Sequence, residues 1–262
     1  MINSLVSQIE SGEKNLEDGK YNEIENDDGD CKESFEIKNG KLDGYSFTYH
    51  KRIKKGFLSI KTEWCLRSKV NYVNGKREGK ELIYYDDGTI NYENNYKDGK
   101  LDGEQYSYEM RLGTPEGGPN GLHREMTELD TYKNGVLHGK HETWILDTDI
   151  STGNYTSKRL QSEGNYVNGE KDGMWYEQLW SHPREDQPYK NGKRHGRWTH
   201  YCTIEKTLMW VDIYEIDKQI GKESFSYSFD GTSKIEYIDE NRKTFKEETY
   251  DEDYNLIDTK EY

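Results

Sequence analysis

Hydrophobic and polar positions alternate along this chain in short runs, and Asn-Gly or Asp-Gly punctuates the runs. A period of two is the spacing of a strand, which presents successive side chains to opposite faces. Asn-Gly and Asp-Gly supply the positive φ that a tight two-residue turn requires. Together they predict β-hairpins, and the hairpin signal recurs. Tyr72-Val73-Asn74-Gly75-Lys76-Arg77-Glu78-Gly79 returns as Tyr96 to Gly99 and Gly103, Tyr132 to Gly135 and Gly139, Tyr166 to Gly169 and Gly173, and Tyr189 to Gly192 and Gly196. An earlier copy, with Gly40 and Gly44, has Ile37 in the tyrosine slot. A later one runs from Tyr214 to Gly221, with Asp217 in the first glycine slot. That slot falls at residues 40, 75, 99, 135, 169, 192 and 217, so the unit is about 23–25 residues and three units carry roughly 10–13 more.

Counting from the second glycine, position +3 holds Phe47, Leu82, Tyr106 and Tyr176, and position +5 holds Tyr49, Tyr84, Tyr108, Trp144 and Tyr201. The spacing predicts that these rings, with the tyrosine before each turn, line one face of a continuous antiparallel sheet. Trp175 and Trp198, at +2, are expected on the opposite face. One hairpin cannot bury its ring face, so stability is expected to come from stacked neighbours. Asp86-Asp87-Gly88 and Asp230-Gly231 read as return turns between units.

Tyr-x-Asn-Gly-Lys-x-x-Gly followed by an aromatic strand resembles the MORN repeat, and is closest to the variant type of that repeat. The resemblance covers roughly residues 30–230. It implies an all-β fold, an elongated single-layer antiparallel sheet of tandem hairpins. It also implies a binding or scaffolding role, or that of an antitoxin or immunity protein, and some members are linked to lipid contact. No catalytic residue belongs to the repeat, so none is implied here.

Composition sharpens this picture. The 262 residues include no alanine, and 13% are aromatic, with 22 Tyr, 6 Trp and 6 Phe. That mix argues for burial by rings and against a Rossmann or barrel enzyme, which needs long aliphatic strands and alanine-rich helices. Asp and Glu number 51 against 37 Lys and Arg, a net charge of −14. Such a chain repels phosphate backbones and anionic lipid, so nucleic acid and membrane are not expected as partners; a basic protein is. Cys31, Cys65 and Cys202 are scattered, with no Cys-x-x-Cys pair. Together with the lack of a signal peptide at the start of the sequence, this predicts an intracellular, cytoplasmic protein.

The expected organisation is a cap or linker over 1–30 with a short helix near 2–10 closing the open sheet edge, a repeat domain over 31–232, and an acidic tail or degenerate hairpin over 233–262. The segments 50–64, 111–125 and 146–159 lie between hairpins. The basic run His50 to Gly56 reads as a solvated tip, and the Gly/Pro-rich run from Arg111 to Gly121 as a loop. Asp147 to Gly153 lacks the terminal Glu of a calcium loop. His138 and His141 straddle a turn glycine and do not form a metal pair. Neither a Gly-x-Ser-x-Gly nor a phosphate loop is present. No cofactor, metal or enzymatic activity is expected. The function expected is a protein-interaction or scaffolding module; the alternatives are an antitoxin that occludes a basic toxin, and carbohydrate or lipid-headgroup binding by exposed rings.

Overall fold

A computed structural model describes the chain except residues 1–3, 27, 56–59, 113–121, 150, 152–153, 179–184, 202–207, 228–231 and 254. Cys202, the Asp230-Gly231 turn, and most of the Gly/Pro-rich loop therefore lie outside the described residues. The fold is nearly all β, in antiparallel sheets of consecutive hairpins with one short N-terminal helix. The chain divides into two compact units, the first of residues 1–136 and 146–157, the second of residues 137–145 and 158–262.

In the first unit Gly19–Glu25, Cys31–Lys38, Gly44–Lys55, Ile60–Val73, Gly79–Tyr84, Ile90–Lys97, Gly103–Leu112 and Leu122–Lys133 pair in sequence order. The predicted turns form as read. Asn39, Asn74, Asp98, Asn134, Asn168 and Asn191 all have φ between 50° and 53°, and every paired glycine of the first six copies has positive φ. Two positive values in succession give the type I′ turn, whose twist matches that of the flanking strands.

Each turn is also tied to the one before. The first-glycine N–H donates to the carbonyl two residues before the previous copy's second glycine, as in Gly75 to Leu42 O (2.8 Å), Gly99 to Arg77 O (2.9 Å) and Gly192 to Lys171 O (2.8 Å). The side chain one residue before that second glycine accepts the N–H of the next Asn or Asp. Asp102 takes Asn134 N–H at 3.0 Å, Glu78 takes Asp98 N–H at 2.9 Å, and His138 Nδ1 takes Asn168 N–H at 3.4 Å. The first turn has no preceding copy, and Asp18 fills the gap by accepting from both Asn39 and Gly40 at 2.8 Å. Those two backbone N–H groups hold the Asp18 carboxyl below its usual pKa.

The helix Leu5–Glu10 lies on a sheet face, not on the open edge expected for it. Val6, with Leu5 and Ile9, packs on Phe35, Ile37, Leu42, Val70 and Tyr72. Buried Glu33 accepts the Ser4 hydroxyl (2.5 Å) and Val6 N–H (3.1 Å), and Arg77 grips Glu10 with two bonds of 2.9 and 3.0 Å. Six residues are too few for a helix to be stable alone, so these contacts hold it. The outer strand Gly19–Glu25 is blunted instead by a bulge, with Glu23 at φ 52°.

In the second unit the hydrogen-bonded ladder is interrupted between Glu185–Lys190 and Gly196–Tyr201. Pro188 has no N–H to offer there, and Asp186 N–H goes to the Thr199 hydroxyl at 3.2 Å. Residues 233–262 form Ser233–Asp239, Thr244–Tyr250 and Leu256–Glu261, which continue the hairpin series.

Candidate interaction surfaces

Register decides which side chains share a face. In the third copy Tyr96 pairs with Leu101, and further along Glu93 pairs with Tyr106. Two residues of the second strand, Asp102 and Gly103 in the turn exit, are thus left without a counterpart. An even insertion preserves face parity, so position +2 falls on the tyrosine face and positions +3 and +5 on the other. The expected grouping is corrected accordingly. The turn tyrosines share their face with Trp175 and Trp198, and the +3/+5 rings occupy the opposite one.

The tyrosine face carries a continuous ladder in the second unit. His141 stacks on Trp175 at 5.3 Å. Trp175 meets Tyr166 edge-on at 4.9 Å, Tyr189 lies 5.2 Å from Trp198, and Trp198 lies 5.5 Å from Tyr214. Gly164 makes room for the ladder, because Trp175 lies flat over it. The indole N–H groups of Trp175 and Trp198 satisfy the carbonyls of Asn165 and Pro188. In the equivalent place Gln105 both accepts from Asn95 N–H and donates to its carbonyl. Tryptophan can only donate, and Pro188 has no N–H to satisfy. Cations cross-link the ladder. Lys171 sits 4.2 Å from the Trp175 ring centre and Arg194 sits 4.2 Å from Tyr214; in the first unit Arg77 likewise sits 5.3 Å from Tyr96. Burial pushes the phenols of Tyr72, Tyr96, Tyr189 and Tyr214 above their ordinary pKa.

The opposite face of the first unit carries the +3/+5 row. Tyr45 is 56% exposed, while Phe47, Tyr49, Tyr106 and Tyr108 are half-buried. Cations lie over these rings too, with Lys69 4.5 Å from Tyr45, Lys32 5.7 Å from Tyr49 and Arg124 4.3 Å from Tyr108. The hydrogen bond from Tyr106 to Glu104, aided by burial, pushes that phenol up to about 12.

The seventh copy breaks the rule. Tyr214 pairs with Gln219 and Ile213 with Gly221, so a single residue, Ile220, is left over. An odd insertion flips the faces. Glu223, at +2, therefore pairs with Val211 on the far face and takes both arms of Arg197. Gly221 does not have positive φ. Asp217 nevertheless keeps the stack intact. Its N–H donates to Arg194 O at 2.9 Å and its carboxylate accepts Arg194 N–H at 2.9 Å.

The polar groups that sequence reasoning missed cluster in the second unit. His200 stacks on Trp210 at 4.8 Å, with Nδ1 3.2 Å from Glu185. Its Nε2 lies 3.2 Å from Asp212 but off the hydrogen-bond line, so that contact is ionic. Burial opposes the imidazolium, but the two carboxylates outweigh it and raise the pKa of His200. A shallow cleft of about 620 Å³ opens beside it, lined by Asp212, Gln219, Lys222, Ile238, Asp239, Glu240 and Arg242. No signal in the chain pointed to His200, because its partners come from two other strands. Among the described residues no three of His, Cys, Asp and Glu gather as a metal site. Asp149, in the calcium-like run, accepts Ser151 N–H and hydroxyl in a local turn. In the basic run His50 pairs with Asp86, and Arg52 donates to Asp86 O. Among the described residues no helix is long and apolar enough to cross a membrane. No family model matches the chain, and no curated protein matches it significantly.

Proposed function

We propose that this chain is a non-catalytic protein-binding module of MORN-like repeats that works inside the cell and engages its partner through the +3/+5 ring face. The observation that supports this is the row Tyr45, Phe47, Tyr49, Tyr106 and Tyr108. Its rings are half-exposed to open and lie among Lys69, Lys32 and Arg124. Tyrosine and arginine on a preformed surface are the residues that carry most binding energy in protein interfaces, because rings bury area at little entropic cost. Lys69 already covers one side of the most exposed ring, which disfavours sugar stacking as the use of this face. The net charge of −14 favours a partner that is basic overall.

The test is capture from the native host at physiological salt, with the full chain as bait. Tyr45→Ala with Tyr108→Ala should lower recovery of the captured protein by about tenfold or more. Equal recovery by the wild type and this variant, or no protein above background, refutes the reading.

A further inference from the structure

The turn edge of the first unit prolongs the +3/+5 face beyond its rings, since Lys97 follows Tyr96 and pairs with Lys100, and its charge runs against that of the chain. The residues flanking its four turns are Lys38 and Lys41, Val73 and Lys76, Lys97 and Lys100, and Lys133 and Val136. All eight are exposed. Six are lysines and none is acidic, in a chain where acids outnumber bases 51 to 37. Lys76 has a carboxylate near it, Asp98 at 3.6 Å. Among the described residues, Lys38, Lys41, Lys97, Lys100 and Lys133 have none within 4.0 Å.

Apart from exposed Asp98, which faces Lys76, the nearby acids are engaged by the turn backbone. Asp43, Glu78 and Asp102 are half-buried and accept the N–H of Asn74, Asp98 and Asn134. Asp18 does the same for the first turn. Packing presents the lysines outward. The stem of Lys41 lies across Gly75, where an added Cβ would sit 3.4 Å from Lys41 Cβ; Lys76 lies across Gly99 and Lys100 across Gly135 in the same way. The bonds between successive turns fix the spacing. Two strands per copy at about 4.8 Å each set equivalent lysines, Lys41, Lys76 and Lys100, about 10 Å apart along the edge, with Lys38 and Lys97 across the turn from Lys41 and Lys100. At physiological salt, charges farther off than about 8 Å are largely screened, so the local row outweighs the distant net charge. The second unit lacks the row, since Glu170 and Glu215 interrupt it and Lys218 pairs with Glu240.

We infer that this edge docks an acidic polypeptide segment in an extended, polyproline-II-like form, with a carboxylate at every third residue. That helix has three residues per turn at about 3.1 Å each, so every third side chain returns to one side after about 9 Å, close to the lysine interval. The inference rests on the protein-binding reading and adds a second, cationic contact beside the ring face.

The probe is a fluorescein-labelled peptide of about 15 residues with Glu at every third position and neutral residues between, read by anisotropy on the full chain. A peptide of the same composition with the Glu residues bunched is the comparison. The regular peptide should bind more tightly than the bunched one and weaken as salt rises. The K38E/K41E/K97E/K100E variant should lose about tenfold or more in affinity. The K14E/K190E/K193E/K243E variant, with the same change in net charge, should lose less than about twofold. Far-UV circular dichroism checks that both variants keep the wild-type fold.

Equal losses in the two variants, equal binding of the two peptides, or no binding overturns the inference. So does tighter binding of oligothymidylate or phosphatidylserine vesicles through the same lysines, which would make the edge a nucleic-acid or lipid contact. A host partner that the four-lysine variant still captures, beside a peptide that fails to bind, would sink this edge and leave the ring-face reading standing.

Discussion

Gly164 is the position where one methyl group should do most damage. Its φ lies outside the left-handed region, so the backbone does not ask for glycine there. The demand comes from Trp175. A Cβ on residue 164 would lie 2.2 Å from indole Cδ2 and 2.3 Å from Cε2, far inside contact distance. Gly164→Ala therefore has to expel the indole. The losses are a hydrogen bond to Asn165 O of about 1 kcal/mol and ring contacts with His141 and Tyr166 of about 0.5–1.5 kcal/mol each. The Lys171 cation contact adds about 0.5–1 kcal/mol. These reach about 2.5–5 kcal/mol, which overlaps the range of about 3–5 kcal/mol found for truncating a buried tryptophan outright. Restricting the unfolded chain returns at most about 1 kcal/mol.

Urea unfolding followed by fluorescence, with hydrogen exchange on Tyr155–Val167, measures the cost. The decisive comparison is a double-mutant cycle. In a Trp175→Ala background the same Gly164→Ala change should cost nothing or stabilise slightly, because the clash is gone. Equal costs in both backgrounds would refute the steric account.

Other outcomes follow from the same structure. Ile216 holds φ 49° with a β-branched side chain that is 44% exposed, so Ile216→Asn should stabilise the second unit by about 1 kcal/mol in thermal melts; a destabilised variant would contradict this. Glu33→Ala removes the acceptor of Ser4 and Val6 and should release Leu5–Glu10, at a cost of about 1–3 kcal/mol. Hydrogen exchange in that helix should then approach the unfolded rate while residues 90–112 stay protected. His200 has its pKa raised, so its ionic contribution is complete below about 6.5 and fades as pH climbs through the raised value. Asp212 has its pKa lowered, because the His200 contact outweighs burial, and its contribution fades as pH drops below about 4. The stability gap between wild type and His200→Gln should therefore peak between about pH 4 and 6.5; a gap that stays flat from pH 5 to 8.5 excludes the coupling.

The six Asn-Gly and Asp-Gly hairpins and their positive-φ turns were legible in the amino-acid order, because turn chemistry is local, but the pairing of Gly19–Glu25 with Cys31–Lys38 was not. Asn or Asp before Gly selects positive φ whatever lies around it, and a period of two states which neighbours share a face within one strand. The helix near the N-terminus was legible too, but not its seat on a face of the sheet. The grouping of the rings was not legible, since it depends on how many residues each turn exit leaves unpaired. Two, as at Asp102-Gly103, put Trp175 and Trp198 beside the tyrosines; one, at Ile220, turns Glu223 to the other side. Spacing along the chain cannot distinguish these, because parity is set by the register of the partner strand. The same holds for Gly164 under Trp175, for Asp18 and Asp217 filling places in the turn stack, and for His200 between Glu185 and Asp212. In each case the partner lies on another strand, at a distance in sequence that only closure of the sheet brings to contact.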